Sequence, residues 1–230
     1  MKTIGLIGGM SWESTVVYYE HLNRMCRDRL GGLHSAKLLL WSFDFARIER
    51  LQAADDWPAA TELMIDAARN LERGGAECLV ICTNTMHKMA DDIQHAVDLP
   101  LIHIADATAH AIKSQNIKKP LLLATRYTME QDFYSGRLLN HHGIAARTPN
   151  DKDRDTVHNI IYNELCVGVI NDASREQYKQ VVQSSIDDGV DGVILGCTEI
   201  GLLMSANDVS VPTFDTTQLH AEAALDFALS

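Results

Sequence analysis

Short apolar runs alternate with longer amphipathic segments along the whole chain, the pattern of βα units built around a parallel sheet. Thr3 to Ile7 reads as a first strand. Ser11 is placed to cap the following helix, whose apolar positions include Val16, Val17, Tyr19, Leu22 and Met25. Ala36 to Ser42 reads as a second strand. Asp56-Trp57-Pro58 opens a helix with Pro58 in its first turn, and Gly74-Gly75 closes it. Cys78 to Cys82 is a third strand, Met86 to Val97 a helix, and Leu101 to Ile104 a further short strand. The second half runs in the same order, starting with a strand over Pro120 to Ala124. Thr128-Met129-Glu130-Gln131 reads as a capping box opening a helix through Tyr134 and Leu138. Ser174-Arg175-Glu176-Gln177 reads as another, with its helix ending at Gly189. Val193 to Gly196 is a strand, and Thr216 to Leu229 a closing helix.

The two halves also match residue by residue. Gly75-Ala76-Glu77-Cys78-Leu79-Val80-Ile81-Cys82-Thr83-Asn84 is echoed, 114 positions later, by Gly189-Val190-Asp191-Gly192-Val193-Ile194-Leu195-Gly196-Cys197-Thr198. A second anchor lies at an offset of 116, where Gly9 to Tyr18 and Thr125 to Tyr134 are both nine-residue steps from a strand end to an aromatic helix position. An internal repeat predicts two similar halves, and a site between such halves can hold one ligand from two sides. The register of the repeat matters for the chemistry. Eight residues after each leading glycine stand Thr83 and Cys197, so Cys197 pairs with Thr83 and not with Cys82.

Ligands of parallel α/β sheets bind beyond the carboxyl ends of the strands. Four such ends are rich in small residues, hydroxyls, amides and thiols: Gly8-Gly9-Met10-Ser11, Cys82-Thr83-Asn84-Thr85, Ala124-Thr125-Arg126-Tyr127 and Gly196-Cys197-Thr198-Glu199. Such groups suit carboxylates and ammonium groups. Gly5-x-x-Gly8-Gly9 is neither a dinucleotide fingerprint nor a Walker loop, and reads as a tight strand-to-helix turn or an anion cradle.

Length and charge narrow the classes. The 230 residues can bury one large core or two small ones, and a formal net charge of -11 argues against nucleic-acid and anionic-membrane partners. The apolar run at the N-terminus ends at Gly8-Gly9, too short for a signal segment, and no run approaches the ~18 residues that span a bilayer. Five widely spread cysteines, Cys26, Cys78, Cys82, Cys166 and Cys197, make a poor disulfide framework and point to the cytoplasm. Cys78 and Cys82 lie four apart, there is no Cys-x-x-Cys or His-Glu-x-x-His pattern, and no metal site is expected. Cys197 is the candidate reactive thiol, because it stands where an apolar strand meets a polar turn. A thiol at a helix N-terminus has a lowered pKa. Asp44 and Arg47, beyond the second strand, can supply charge to a substrate.

At Cys-Thr-Asn-Thr, Gly-Cys-Thr-Glu-Ile and Gly-Gly-Met-Ser-Trp-Glu-Ser the chain resembles the aspartate/glutamate racemase superfamily, and the aspartate racemase branch most. Gly196-Cys197-Thr198-Glu199, with Asp215-Thr216-Thr217 and His220, carries the resemblance, together with Gly8-Gly9-Met10-Ser11 and Thr125-Arg126-Tyr127-Thr128-Met129. The resemblance implies two similar parallel-sheet α/β domains related by a pseudo-twofold, with the active site in the cleft between them. The first would span 1–98, completed by a C-terminal helix over 213–230, and the second 99–212. It implies an amino-acid racemase free of pyridoxal phosphate and of any other cofactor. One thiolate removes the α-proton while an opposite thiol returns one to the other face. Met10, Thr85, Thr125 and Thr198 would border the substrate, Asn84 would place its amino or carboxylate group, and Arg47 would meet a carboxylate. The family commonly forms dimers, so a homodimer is an open expectation.

One departure stands out. The family pattern is Cys-Asn-Thr, and with Asn84-Thr85 as its Asn-Thr, the Cys position holds Thr83. Successive strand side chains point to opposite faces, so Cys82 should point away from the substrate. A thiol has a pKa of about 8.5, whereas a Thr hydroxyl is a far weaker acid and a poor base for a carbon acid. The expectation is a lopsided racemase, with Cys197 as its working thiol and Thr83 opposite, that acts better on L- than on D-substrate. Aspartate, glutamate or a broader set are the substrates suggested. Related enzymes that isomerise maleate, racemise hydantoins or decarboxylate arylmalonates are an alternative, as is an amino-acid-binding protein with reduced activity.

Overall fold

The computed structural model describes all 230 residues, which fall into two compact units: residues 1–103 with 220–230, and residues 104–219. The first unit holds a parallel sheet of four strands: β1 (Ile4–Gly8), β2 (Leu38–Ser42), β3 (Cys78–Ile81) and β4 (Leu101–Ile102). They lie in the order β2-β1-β3-β4, with Ile4 opposite both Leu38 and Cys78 and Leu79 opposite Leu101. The second unit holds β5 (Pro120–Leu123), β6 (Gly192–Leu195) and β7 (Thr213–Asp215), parallel in the order β5-β6-β7. Leu123 lies opposite Leu195, and Leu195 opposite Asp215. A single parallel bridge from Leu121 to Arg147 sits next to β5, on the strand that corresponds to β1, and takes the place of β2. The two units therefore share one strand order, which is the duplication seen in the sequence.

Alternation along the strands sorts the first core into two layers. Ile4, Leu6, Cys78, Val80 and Cys82 face one layer, packed with Tyr18, Leu22 and Cys26 of α1 (Trp12–Leu30) and with Ala221, Ala224, Leu225 and Ala228. Ile7, Leu79 and Ile81 face the other, packed with Ile48 of α2 (Phe45–Ala53) and with Ala60, Met64, Ala67, Ala68 and Leu71 of α3 (Trp57–Arg73). A 3-10 segment over Thr85–Met89 and α4 (Ala90–Ala96) follow β3. The second unit buries β5 and β6 within α5 (Ile104–Ser114), α6 (Arg126–Glu130), α7 (Asp132–His142), α8 (Asp151–Asn163), α9 (Asp172–Asp187) and α10 (Ile200–Leu203). The chain ends in α11 (Thr216–Leu229), whose later residues belong to the first unit.

Helix starts and faces differ from the sequence reading in three places. Ser11 does cap α1, its side chain accepting from the Ser14 N–H at 3.2 Å. The buried stripe of α1, however, is Ser14, Thr15, Tyr18, Leu22 and Cys26, while Val16 and Tyr19 are exposed and Val17 and Met25 half-buried. Thr15 is drawn inward because its hydroxyl accepts from the Gly9 N–H at 2.8 Å and donates to the Ser11 carbonyl at 2.9 Å. Thr128 opens no helix. Thr125 is the N-cap of α6, and Gln131 that of α7. Ser174 lies inside α9, its hydroxyl donating to Glu164 at 2.6 Å, and Asn171 takes the cap by accepting from the Ala173 N–H. Asp56 caps α3 as the sequence suggests, accepting from Ala59 at 3.1 Å.

The turn after β1 depends on one glycine. Gly9 has φ +77°, and a Cβ there would stand 2.4 Å from both the amide nitrogen and the carbonyl oxygen of Phe43. Gly9→Ala should therefore cost about 3 kcal/mol, lowering Tm by roughly 6–12 °C in thermal unfolding followed by circular dichroism.

Candidate active site

The carboxyl end of β1 leads to Met10 and Ser11, both buried. Beyond β2, Asp44 caps α2 by accepting from the Ala46 N–H at 3.2 Å, and Arg47 stands exposed in the first turn of that helix. Beyond β3, Thr83 is half-buried and is followed by the buried Asn84 and Thr85, which lead into the 3-10 segment. The His87 ring donates from Nδ1 to the Thr83 carbonyl at 2.8 Å, and the His87 backbone N–H bonds the Asn84 carbonyl at 3.1 Å. Cys82 lies one residue earlier, fully buried in the layer formed with α1 and α11, and burial pushes its thiol far up. Cys78, in the same layer, is pushed up to about 11, first by burial and then by the Glu77 charge. These two thiols are core residues.

In the second unit, Thr125 lies two residues beyond β5, and its hydroxyl is 3.2 Å from that of Thr128. Gly196 directly follows β6, with its N–H bonded to the Leu123 carbonyl at 2.7 Å. A Cβ on Gly196 would stand 2.7 Å from Leu122 Cδ1 and 3.0 Å from the Leu123 carbonyl, so only glycine lets the strand ends approach this closely. Cys197 and Thr198 follow, the first half-buried and the second buried.

Cys197 does not stand alone. Its thiol donates to Glu199 Oε2 at 2.9 Å, and the Cys166 thiol reaches the other oxygen, Oε1, at 3.9 Å. Glu199 is only 3 % exposed, so one buried carboxylate sits between two thiols. Tyr178, whose hydroxyl donates to the Val157 carbonyl at 3.1 Å, lies beside the group. Burial, then the charges of Cys197, Glu199 and Cys166, hold the Tyr178 hydroxyl well above its usual range. The Cys197 thiol is likewise held well above its ordinary value, first by burial, then by the Glu199 charge, the Cys166 thiol and the hydrogen bond to Glu199. This reverses the lowered pKa expected from a helix start. The helix beyond it, α10, has only four residues, and Glu199 adds a negative charge at hydrogen-bond distance.

Chemically, the arrangement is a protonated thiol hydrogen-bonded to a buried carboxylate. The sequence places Cys166, in Tyr162-Asn163-Glu164-Leu165-Cys166, either near a side-chain pocket or buried in a helix; it stands half-buried in a 3-10 turn, and its contact with Glu199 was not foreseen. An acidic residue two places after a thiol in a turn was the signal for Glu199. No group of three or more His, Cys, Asp or Glu side chains is arranged to hold a metal ion. No helix is long and apolar enough to cross a membrane.

Two parallel α/β units of one strand order carry a thiol–carboxylate pair just beyond the middle strand of the second. The chain belongs to the Asp/Glu/Hydantoin racemase family, whose model matches residues 7–224. A crystal structure from Yersinia pestis, of a protein classed as an Asp/Glu racemase, is 58% identical, with a TM-score of 0.93 and full coverage of both chains. An aspartate racemase homologue from Pyrococcus horikoshii OT3 is 35% identical, with a TM-score of 0.86 and full coverage of both chains. Among curated proteins, the broad specificity amino-acid racemase RacX of Bacillus subtilis (strain 168) is 22% identical, covering 99% of this chain and 98% of its own.

Proposed function

We propose that this chain racemises a free amino acid by moving its α-proton without a cofactor, with Cys197 as the working thiol and Thr83 as its counterpart. The Cys197–Glu199 contact at 2.9 Å carries the reading. Glu199 accepts the thiol proton, the thiolate takes the α-proton of the L-enantiomer, and the resulting carbanion is reprotonated with inversion. The S–H proton moves to the carboxylate oxygen, the Cα–H proton moves to sulfur, and the carbanion takes a proton on its opposite face from the Thr83 side, which solvent replaces as Glu199 gives its own proton back to solvent. Thr83 contributes a hydroxyl that stabilises the carbanion by hydrogen bonding, or delivers a proton through exchange with solvent. Met10, Thr85, Thr125 and Thr198 border the substrate, Asn84 orients its amino or carboxylate group, and Arg47 pairs with a carboxylate. Aspartate and glutamate are the suggested substrates from the relatives, and the broad specificity of the Bacillus subtilis relative supports a wider set. The proposed setting is the cytoplasm, where the five free cysteines stay reduced, and the proposed assembly is a homodimer.

The asymmetry of thiol and hydroxyl gives the reading its test. A racemase cannot shift the equilibrium between mirror images, so the preference for L-substrate must appear in kcat and KM together. In deuterated solvent, α-proton exchange should be fast from the L-enantiomer and slow from the D-enantiomer when each is supplied alone. Thr83→Cys should raise exchange and turnover of the D-form. Equal exchange from both enantiomers in the parent protein would sink the lopsided mechanism. Binding of an amino acid with no exchange from either would identify an amino-acid-binding protein instead.

A further inference from the structure

Behind Thr83 lies a buried polar group that the proposed reaction does not use. His87, His103 and His220 are 2 %, 6 % and 0 % exposed, and Tyr18 is fully buried beside them. The rings form a chain. Tyr18 meets His220 edge-on with centroids 5.6 Å apart, His220 meets His87 at 5.4 Å, and His87 meets His103 at 4.6 Å. Carbonyl oxygens only accept, and this fixes the ring protons. His220 Nε2 donates to the Ile102 carbonyl at 2.6 Å, so its Nδ1 accepts the Tyr18 hydroxyl proton at 2.8 Å. Both nitrogens of His220 are thereby used in the neutral ring. His87 Nδ1 must likewise carry the proton that it donates to the Thr83 carbonyl at 2.8 Å.

Burying three imidazoles and a phenol costs more than burying apolar rings of the same size unless each polar atom is satisfied. What the arrangement gains is a single pose for His87, held between His220 and His103. His87 in turn grips the turn after β3 twice, by its ring at Thr83 and by its backbone at Asn84. We infer that His87 is a positioning residue, an imidazole latch that holds Thr83 where reprotonation of the carbanion requires it. This rests on the role of Thr83 proposed above. The latch acts on the Thr83 step and leaves proton removal by Cys197 untouched.

Asparagine and glutamine separate this role from a structural one, because Asn carries its amide N–H where His carries Nδ1, and Gln where it carries Nε2. His87→Asn should convert L- to D-substrate within about threefold of the parent, by chiral chromatography. His87→Gln should convert at least about tenfold more slowly, while its α-proton exchange from L-substrate stays within about threefold. His87→Leu should behave as His87→Gln, and if it does not fold, the Asn and Gln pair carries the test. Exchange and conversion falling together in His87→Gln, or Asn and Gln behaving alike, overturns the latch. Thr83→Ala, run alongside, tells the two ideas apart. If Thr83→Ala converts substrate as the parent does, the reading of Thr83 fails and the latch with it; if Thr83→Ala is impaired and His87→Gln is not, the latch alone fails.

Discussion

Cys197→Ser is expected to remove α-proton exchange from both enantiomers, with a loss of about a thousandfold or more in kcat. Serine keeps a donor for Glu199 and fits the same space, so the fold should survive. What it lacks is a group acidic enough to lose its proton to a carboxylate yet, once ionised, basic enough to take a proton from carbon. Thermal unfolding close to that of the parent, alongside lost exchange, would separate chemistry from stability. Cys82→Ser is the control, because it carries the same substitution into the core layer with Ile4, Leu6 and Tyr18. It should lower stability by about 1–2 kcal/mol through a buried hydroxyl and leave exchange nearly unchanged. Equal catalytic damage from the two serines would overturn the assignment of Cys197 and Thr83 as partners.

Glu199→Gln is expected to be nearly as damaging, lowering exchange about a hundredfold or more. The amide can still accept the Cys197 hydrogen bond but cannot take its proton. A second readout moves in the opposite direction. The Glu199 charge is one of the causes that hold the Cys197 thiol up, so removing it lets the thiolate form more readily. Alkylation of Cys197 by iodoacetamide near pH 8 should therefore quicken in Glu199→Gln while racemisation falls. In the parent, the raised thiol should alkylate slowly at neutral pH and keep gaining rate as pH rises past 9, where an ordinary exposed cysteine has begun to level. A variant in which alkylation and racemisation both fell would show that Glu199 only supports the local fold.

The strands that place these groups were legible because each is a buried apolar run ending in small residues. β1, β3, β5 and β6 are buried along their whole length, and such runs stand out against amphipathic helices. The start of α3 was legible because Asp56 and Pro58 signal it directly. β7 was not: Thr213–Asp215 has one apolar residue, Phe214, and is a strand only because β6 pairs with it. The helices α2, α5 and α8 carry no clear signal in the sequence, since their short or mixed stretches declare themselves only when packed against a sheet. Ser174 misled because a side chain that resembles a cap bonds Glu164, just before the preceding 3-10 turn, instead. Cys197 could be found from its strand end and motif, but its protonation could not. That is set by Glu199 and Cys166, the second of which arrives from a different element, a 3-10 turn over Leu165–Val167.

The route of α11 bears on how the chain is made. The helix opens in the second unit, where the Thr216 hydroxyl donates to the Leu195 carbonyl at 2.8 Å, yet Ala221, Ala224, Leu225 and Ala228 complete the core layer under β1 and β3. Lys2 is tied there as well, its backbone N–H bonding the Ala228 carbonyl at 2.8 Å. On the ribosome, residues 104–219 can emerge and close their own core before that helix is available. The unit translated first is thus the unit finished last, with one face of its sheet covered by α1 alone until residues 220–230 arrive. For that interval the part of the layer that Ala221, Ala224, Leu225 and Ala228 later fill stays open to water.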